Sequence, residues 1–157
     1  MSALEAKMEE VMEICVQMGT PEWLELRDAI ATYLEYRRRD YPTEMEARDV
    51  FLELGAPDHL VGHPYAVWAL VLIHQDSHLL LNLSQELYPM IAETYKTTPS
   101  GVERGIRHLV DEIWIRGDEK VLQHYFGNTV SIHRGKPTNA EFLARLSNVI
   151  RQRLEAA

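Results

Sequence analysis

The 157-residue sequence predicts an all-α protein: a compact helical domain built around a helix-turn-helix, with an N-terminal helical hairpin as its extension. Three observations carry this. Apolar residues recur at helical spacing through almost every segment. Capping residues, Gly and Pro punctuate the segments at regular intervals. The stretch LSQELYPMIAETYKTTPSGVERGIRHLVDEIWIRG, residues 83–117, joins two such segments through a short polar turn.

Residues 3–18 read as a helix with Leu4, Met8, Val11, Met12, Cys15 and Met18 on one side and glutamates on the other. Gly19-Thr20-Pro21 stops it and starts the next, 21–39, which carries Trp23, Leu24, Ala29, Ile30, Tyr33 and Leu34. Arg37, Arg38 and Arg39 in its last turn complement the helix dipole. Asp40-Tyr41-Pro42 is a break, and Thr43 with Glu46 spells a capping box for a helix over 44–54. Gly19-Thr20-Pro21 and Gly55-Ala56-Pro57 lie 36 residues apart, as do Asp40 and Asp76, the mark of a weak duplication. Residues 63–75 are apolar nearly all round, which places that helix centrally.

The helix-turn-helix follows. A first helix over 84–95 carries Leu87, Met90 and Ile91, with small Ala92 at the close crossing. Lys96-Thr97-Thr98 turns the chain, Thr98 caps, and Pro99 occupies a first-turn position. In helix 99–116, Val102, Ile106, Leu109, Val110, Ile113 and Trp114 form the inward stripe. Arg104 and His108 point nearly opposite it, flanked by Ser100 and Arg107, with Glu103 at the edge. A second helix that displays arginine near its start is the pattern of a major-groove reader. Gly117-Asp118 then separates a short helix, 119–125. Residues 127–137 form a loop or short extended pair bearing Arg134 and Lys136. Thr138 and Glu141 spell a second capping box, for a last helix to about residue 154 with Phe142, Leu143, Leu146, Val149 and Ile150 inward.

Composition bounds the function. The formal charge of −8 is uneven: residues 1–58 hold 14 acids and six bases, residues 59–157 ten of each. Any phosphate affinity must therefore come from locally clustered cations. No apolar run is long enough to span a membrane, and the first residues lack the layout of a secretory signal. The single cysteine, Cys15, reads as core and fits a cytoplasmic protein. His59/His63 and His74/His78 have i, i+4 spacing, but Gly62 and Pro64 interrupt the first pair and a helix end the second. No metal site or cofactor is expected. A phosphate loop, a GxSxG elbow and HExxH are all missing, so an enzyme is not expected.

Six blocks then carry a resemblance: LGAPDHLVG (54–62), LYPMIAETYKTT (87–98), VERGIRH (102–108), WIRGD (114–118), FGNTVS (126–131) and KPTNAEF (136–142). In order and without large gaps, residues from about 48 onward resemble the C-terminal DNA-binding effector domain of the master response regulator of sporulation in endospore-forming bacteria. The resemblance implies that the helix ending at Arg116 enters the major groove, with Glu103, Arg104 and Arg107 on the base-reading surface and His108 matched beside them. Arginine to guanine and glutamate to cytosine are chemically sensible pairings. Lys96, Thr97, Thr98 and Ser100, with Lys136 and Arg134 from the loop, would hold phosphates. Three departures stand out. The roughly 46 preceding residues cannot hold the family's receiver domain, so control by phosphorylation in cis is not expected. Gly101 stands where the family usually has arginine. The chain ends Glu155-Ala156-Ala157, where the family tends to be basic.

The division expected is therefore 1–46, an acidic helical extension, and 47–157, the effector domain. The function expected is a sequence-specific, double-stranded-DNA-binding transcriptional regulator. Further expectations are a homodimer through residues 1–46 or through the effector domain, and a contact with RNA polymerase. The alternative is a receiverless interaction module that binds another regulator or RNA polymerase with little or no DNA binding.

Overall fold

The structure, a computed structural model, describes residues 1–127 and 135–157. The expected loop at 127–137, Arg134 included, falls largely outside the described residues. Among those described, every regular element is helical, and the chain divides into two compact units, Met1–Pro42 and Thr43–Ala157.

The first unit is the hairpin of α1 (Ala3–Met18) and α2 (Pro21–Arg39). Ser2 opens α1 with a full capping box: its hydroxyl accepts from Glu5 N at 3.2 Å, and its own N–H donates to Glu5 Oε2 at 2.7 Å. Gly19 closes α1 in the left-handed region, and Pro21 starts α2 at once. Cys15 and Leu34 are fully buried. Leu4, Val11 and Met18, placed on the apolar side of α1 by the sequence, are exposed, and so are Trp23 and Tyr33 on α2. One neighbouring helix covers only a narrow stripe of another, and the apolar surface of α1 is wider than that stripe. The three arginines do more than complement a dipole. Arg37 lies 3.8 Å from Glu5 and 3.8 Å over the Tyr41 ring, Arg38 pairs with Glu9, and Arg39 pairs with Asp40 at 2.8 Å.

α3 (Tyr41–Glu53) begins earlier than its sequence suggested. Thr43 lies inside it and is buried, so the expected capping box with Glu46 does not form. Pro42 is accommodated because first-turn N–H groups have no intrahelical acceptor, and a proline there costs little. In the second unit α4 (Gly62–Gln75) is buried on most of its circumference, as its composition foretold, and packs against α6 and α8. A 3-10 turn (Ser77–Leu81) and a π-helical turn (Leu83–Leu87) lead into α5 (Tyr88–Tyr95). α6 (Pro99–Arg116), α7 (Glu119–Phe126) and α8 (Asn139–Ala156) complete it.

The core is knitted by rings. Phe142 stacks with Phe51 and Phe126 at centroid distances of 6.1 and 5.7 Å, and Trp114 meets Phe126 edge-on at 5.0 Å. His63, from one of the histidine pairs, is buried edge-on against Phe51 at 5.2 Å. No metal-ligating cluster of three groups occurs among the described residues. No helix is long and apolar enough to cross a membrane. As for the duplication, Gly19 and Gly55 share a φ of 69°, and Asp40 and Asp76 both cap helix ends. The correspondence stops at the prolines: Pro21 opens a helix, whereas Pro57 precedes α4 by five residues.

Candidate nucleic-acid interface

Two helices and the turn between them place the site. The first is shorter than its sequence pattern: residues 83–87 form a π turn, and only Tyr88–Tyr95 is α-helical. Pro89 gives the physical reason. It has no N–H to offer the carbonyl four residues back, and the chain widens just before it, with Tyr88 N donating to Leu83 O. α5 ends at Lys96, whose φ of 53° is left-handed and, among the described residues, shared by no other non-glycine. This sharp reversal lets Thr97 N donate to Ala92 O at 2.9 Å.

Thr98 caps α6 as expected, its hydroxyl accepting from Gly101 N at 3.0 Å and lying 3.4 Å from Ser100 Oγ. The inward stripe is buried at Val102, Ile106, Leu109, Val110 and Ile113, while Trp114 is half-buried. The opposite face carries Arg104, Arg107 and His108, all exposed, with Glu103 half-buried at its edge. Lys96, Thr98 and Ser100 are exposed beside the start of α6, and Thr97 is partly covered. The structure thus brings together nine of the ten residues singled out in sequence, and the tenth, Arg134, lies outside the described residues.

Their electrostatics are less simple than the helical wheel suggests. Arg107 donates to Glu103 Oε1 at 2.7 Å, and Lys136 pairs with Asp111. Arg104 makes no ion pair among the described residues. Arg104 on the face and Lys96 beside its start therefore present charge that no carboxylate compensates among the described residues. Exposed pairs such as Arg107–Glu103 contribute about 0–1 kcal/mol, so exchanging the carboxylate for another acceptor costs little.

Sequence reasoning missed what holds the face in place. Asn139, at the start of α8, donates through Nδ2 to Glu103 O at 3.0 Å and to the Tyr88 hydroxyl at 3.2 Å. One amide thus ties α5, α6 and α8 together, and burial pushes the Tyr88 phenol up. The signal was a single asparagine, a poor helix former, directly after the Thr138 cap. On the inner side, Gly62 of α4 meets Gly105 of α6 so closely that a Cβ on Gly62 would lie 1.9 Å from the Gly105 carbonyl oxygen. Ala92 is buried as expected, but the approach that fixes α6 against the core is this glycine pair.

A capped helix exposing a row of cations, preceded by a short helix and a tight turn and backed by a helical core, defines a helix-turn-helix DNA-binding regulatory domain. Residues 47–150 match the family described as Sporulation initiation factor Spo0A C terminal, and the chain belongs to it. That family is a DNA-binding, transcription-regulating domain of sporulation and not an enzyme.

Proposed function

We propose that the protein is a sequence-specific transcriptional regulator that reads the major groove of double-stranded DNA with α6. Arg104 and Arg107 pair with guanine edges, Glu103 accepts from cytosine, and His108 extends the row. Lys96, Thr97, Thr98 and Ser100 grip phosphates at the start of α6, and Lys136 with Arg134 reaches the backbone from the loop side. The effector part, 47–157, does the reading; the acidic part, 1–46, supplies a partner surface, and the setting is the cytoplasm. The observation that carries this is Arg104, exposed on the outer face of a capped helix with no ion pair among the described residues to satisfy it.

Arg104→Ala tests the reading. Specific binding should fall about 10- to 100-fold, the cost of one bidentate base contact, with an unchanged melting curve. Unchanged binding would instead favour a module that docks on RNA polymerase or another regulator. The pairing of Arg107 and Lys136 with carboxylates is a structural feature on that side.

A further inference from the structure

Among the described residues of the first unit, Met1–Pro42, the apolar side chains fully buried are Cys15 and Leu34. A unit of this size seldom stands on its own core and is usually reinforced by a disulfide, a metal or association. Cys15 is a free thiol.

The remaining apolar side chains are ordered. On α1 the exposed Leu4, Val11, Ile14 and Met18 fall, with Lys7, on positions 4, 7, 11, 14 and 18. On α2, Trp23, Leu26, Ile30, Tyr33 and Arg37 fall on 23, 26, 30, 33 and 37, exposed or half-exposed. Alternating steps of three and four are the a/d repeat of a helix that packs along another helix. On α1 this seam is distinct from the one that closes the hairpin, where Met8, Met12 and Cys15 turn inward. Counting 100° per residue, both series lie on one side of the hairpin. The groove holding Glu9, Glu13, Arg27 and Arg38 lies on the other.

We propose that this face binds a second copy of itself, making an antiparallel four-helix bundle from two hairpins laid head to tail. Charge fixes both the occupant and the direction. Lys7, 3.3 Å from Glu10, and Arg37, 3.8 Å from Glu5, sit at the open end of the seam, and exposed Glu22 flanks it at the turn end. A two-fold axis in the plane of the face, perpendicular to the helices, lays α2 on α2 of the other copy and sets Arg37 of each against Glu22 of the other, a self-complementary contact. The parallel arrangement would lay α1 on α2 of the other copy and oppose Lys7 to Arg37. The contact does not depend on DNA reading, and the two stand or fall separately.

Light scattering on the full chain without DNA, up to about 100 µM, tests it. The expected mass is twice the 18.1 kDa of one chain, reverting to one chain in the double variant Ile14→Glu/Leu26→Glu with its helical circular dichroism intact. Arg37→Glu should weaken association roughly tenfold at low salt, and adding Glu22→Lys should restore it. A monomer at every concentration would overturn the proposal, the face then lying against another part of the chain or a different partner. A dimer indifferent to Ile14→Glu/Leu26→Glu would overturn it as well. Failure of the charge reversal to rescue would overturn the head-to-tail arrangement.

Discussion

Lys96 holds a left-handed conformation that costs a non-glycine residue about 1 kcal/mol or more, and it is also a cation beside the start of α6. The two roles separate by substitution. Lys96→Gly relieves the backbone and removes the charge, so the protein should melt at the same or a slightly higher temperature while its DNA affinity falls and its salt slope drops by about one. Differential scanning calorimetry beside a salt-titrated binding curve reads both. Gly101 poses the converse case. A Cβ there would lie 3.0 and 3.1 Å from the hydroxyl oxygens of Thr97 and Thr98, ends of short side chains that can give slightly. Gly101→Arg introduces the cation that the family resemblance implies at this position and improves helix propensity by up to ~1 kcal/mol. Tighter DNA binding, with a salt slope steeper by about one, is the expected outcome.

At the scale of elements, α6 is positioned by what lies behind it. Gly62 and Gly105 let the backbones of α4 and α6 touch, and a methyl group at Gly62 has no side chain to displace. Gly62→Ala should destabilise the second unit by about 1–3 kcal/mol, as overpacking does, and weaken DNA binding although neither glycine faces DNA. A denaturant melt compared with that of Arg104→Ala, which should leave stability alone, distinguishes support from contact. These elements also show how far the sequence could be read. The bounds of α1, α2 and α6 follow from local signals: the Gly19 stop, the Pro21 and Pro99 starts, and the Thr98 cap. The face of α6 follows from its period. The π turn at 83–87, the early start of α3 at Tyr41 and the Gly62–Gly105 contact were not legible, because each depends on partners distant in sequence or on a proline whose effect falls on the preceding turn. The Glu103–Arg107 spacing was visible on the helical wheel, but the Asn139 clamp and the Lys136–Asp111 pair join residues 25 or more positions apart.

At the scale of the second unit as a whole, two buried groups tie stability to pH from opposite sides. His63 is buried against Phe51, and desolvation, helped by nearby Arg48, lowers its pKa below the usual 6.5. The folded state therefore resists protonation that the unfolded chain accepts. Stability from this residue is complete above the ordinary value and is lost as pH falls through the lowered one. Tyr125 is pushed up to about 12 by burial and by its hydrogen bond to Glu53, a carboxylate that also accepts from Arg153 at 3.0 and 3.2 Å. Its contribution is complete below pH 10 and is lost as pH rises from there toward 12. Urea melts from pH 5 to 7 should show stability declining on the acid side, and His63→Gln should flatten that decline.

Charge at the same scale makes the DNA claim a demanding one, since the chain carries −8 overall and residues 59–157 balance ten acids with ten bases. Under the proposed reading, non-specific attraction is then weak and discrimination comes from base contacts along α6. Fluorescence anisotropy across a salt series, on a duplex carrying the family's recognition box and on a scrambled duplex, measures this directly. A preference for the box of about 10³-fold or more, with a salt slope equivalent to only a few phosphates, is the expected result. Equal and weak binding to both duplexes would contradict it, leaving the helix-turn-helix as a scaffold for a protein partner.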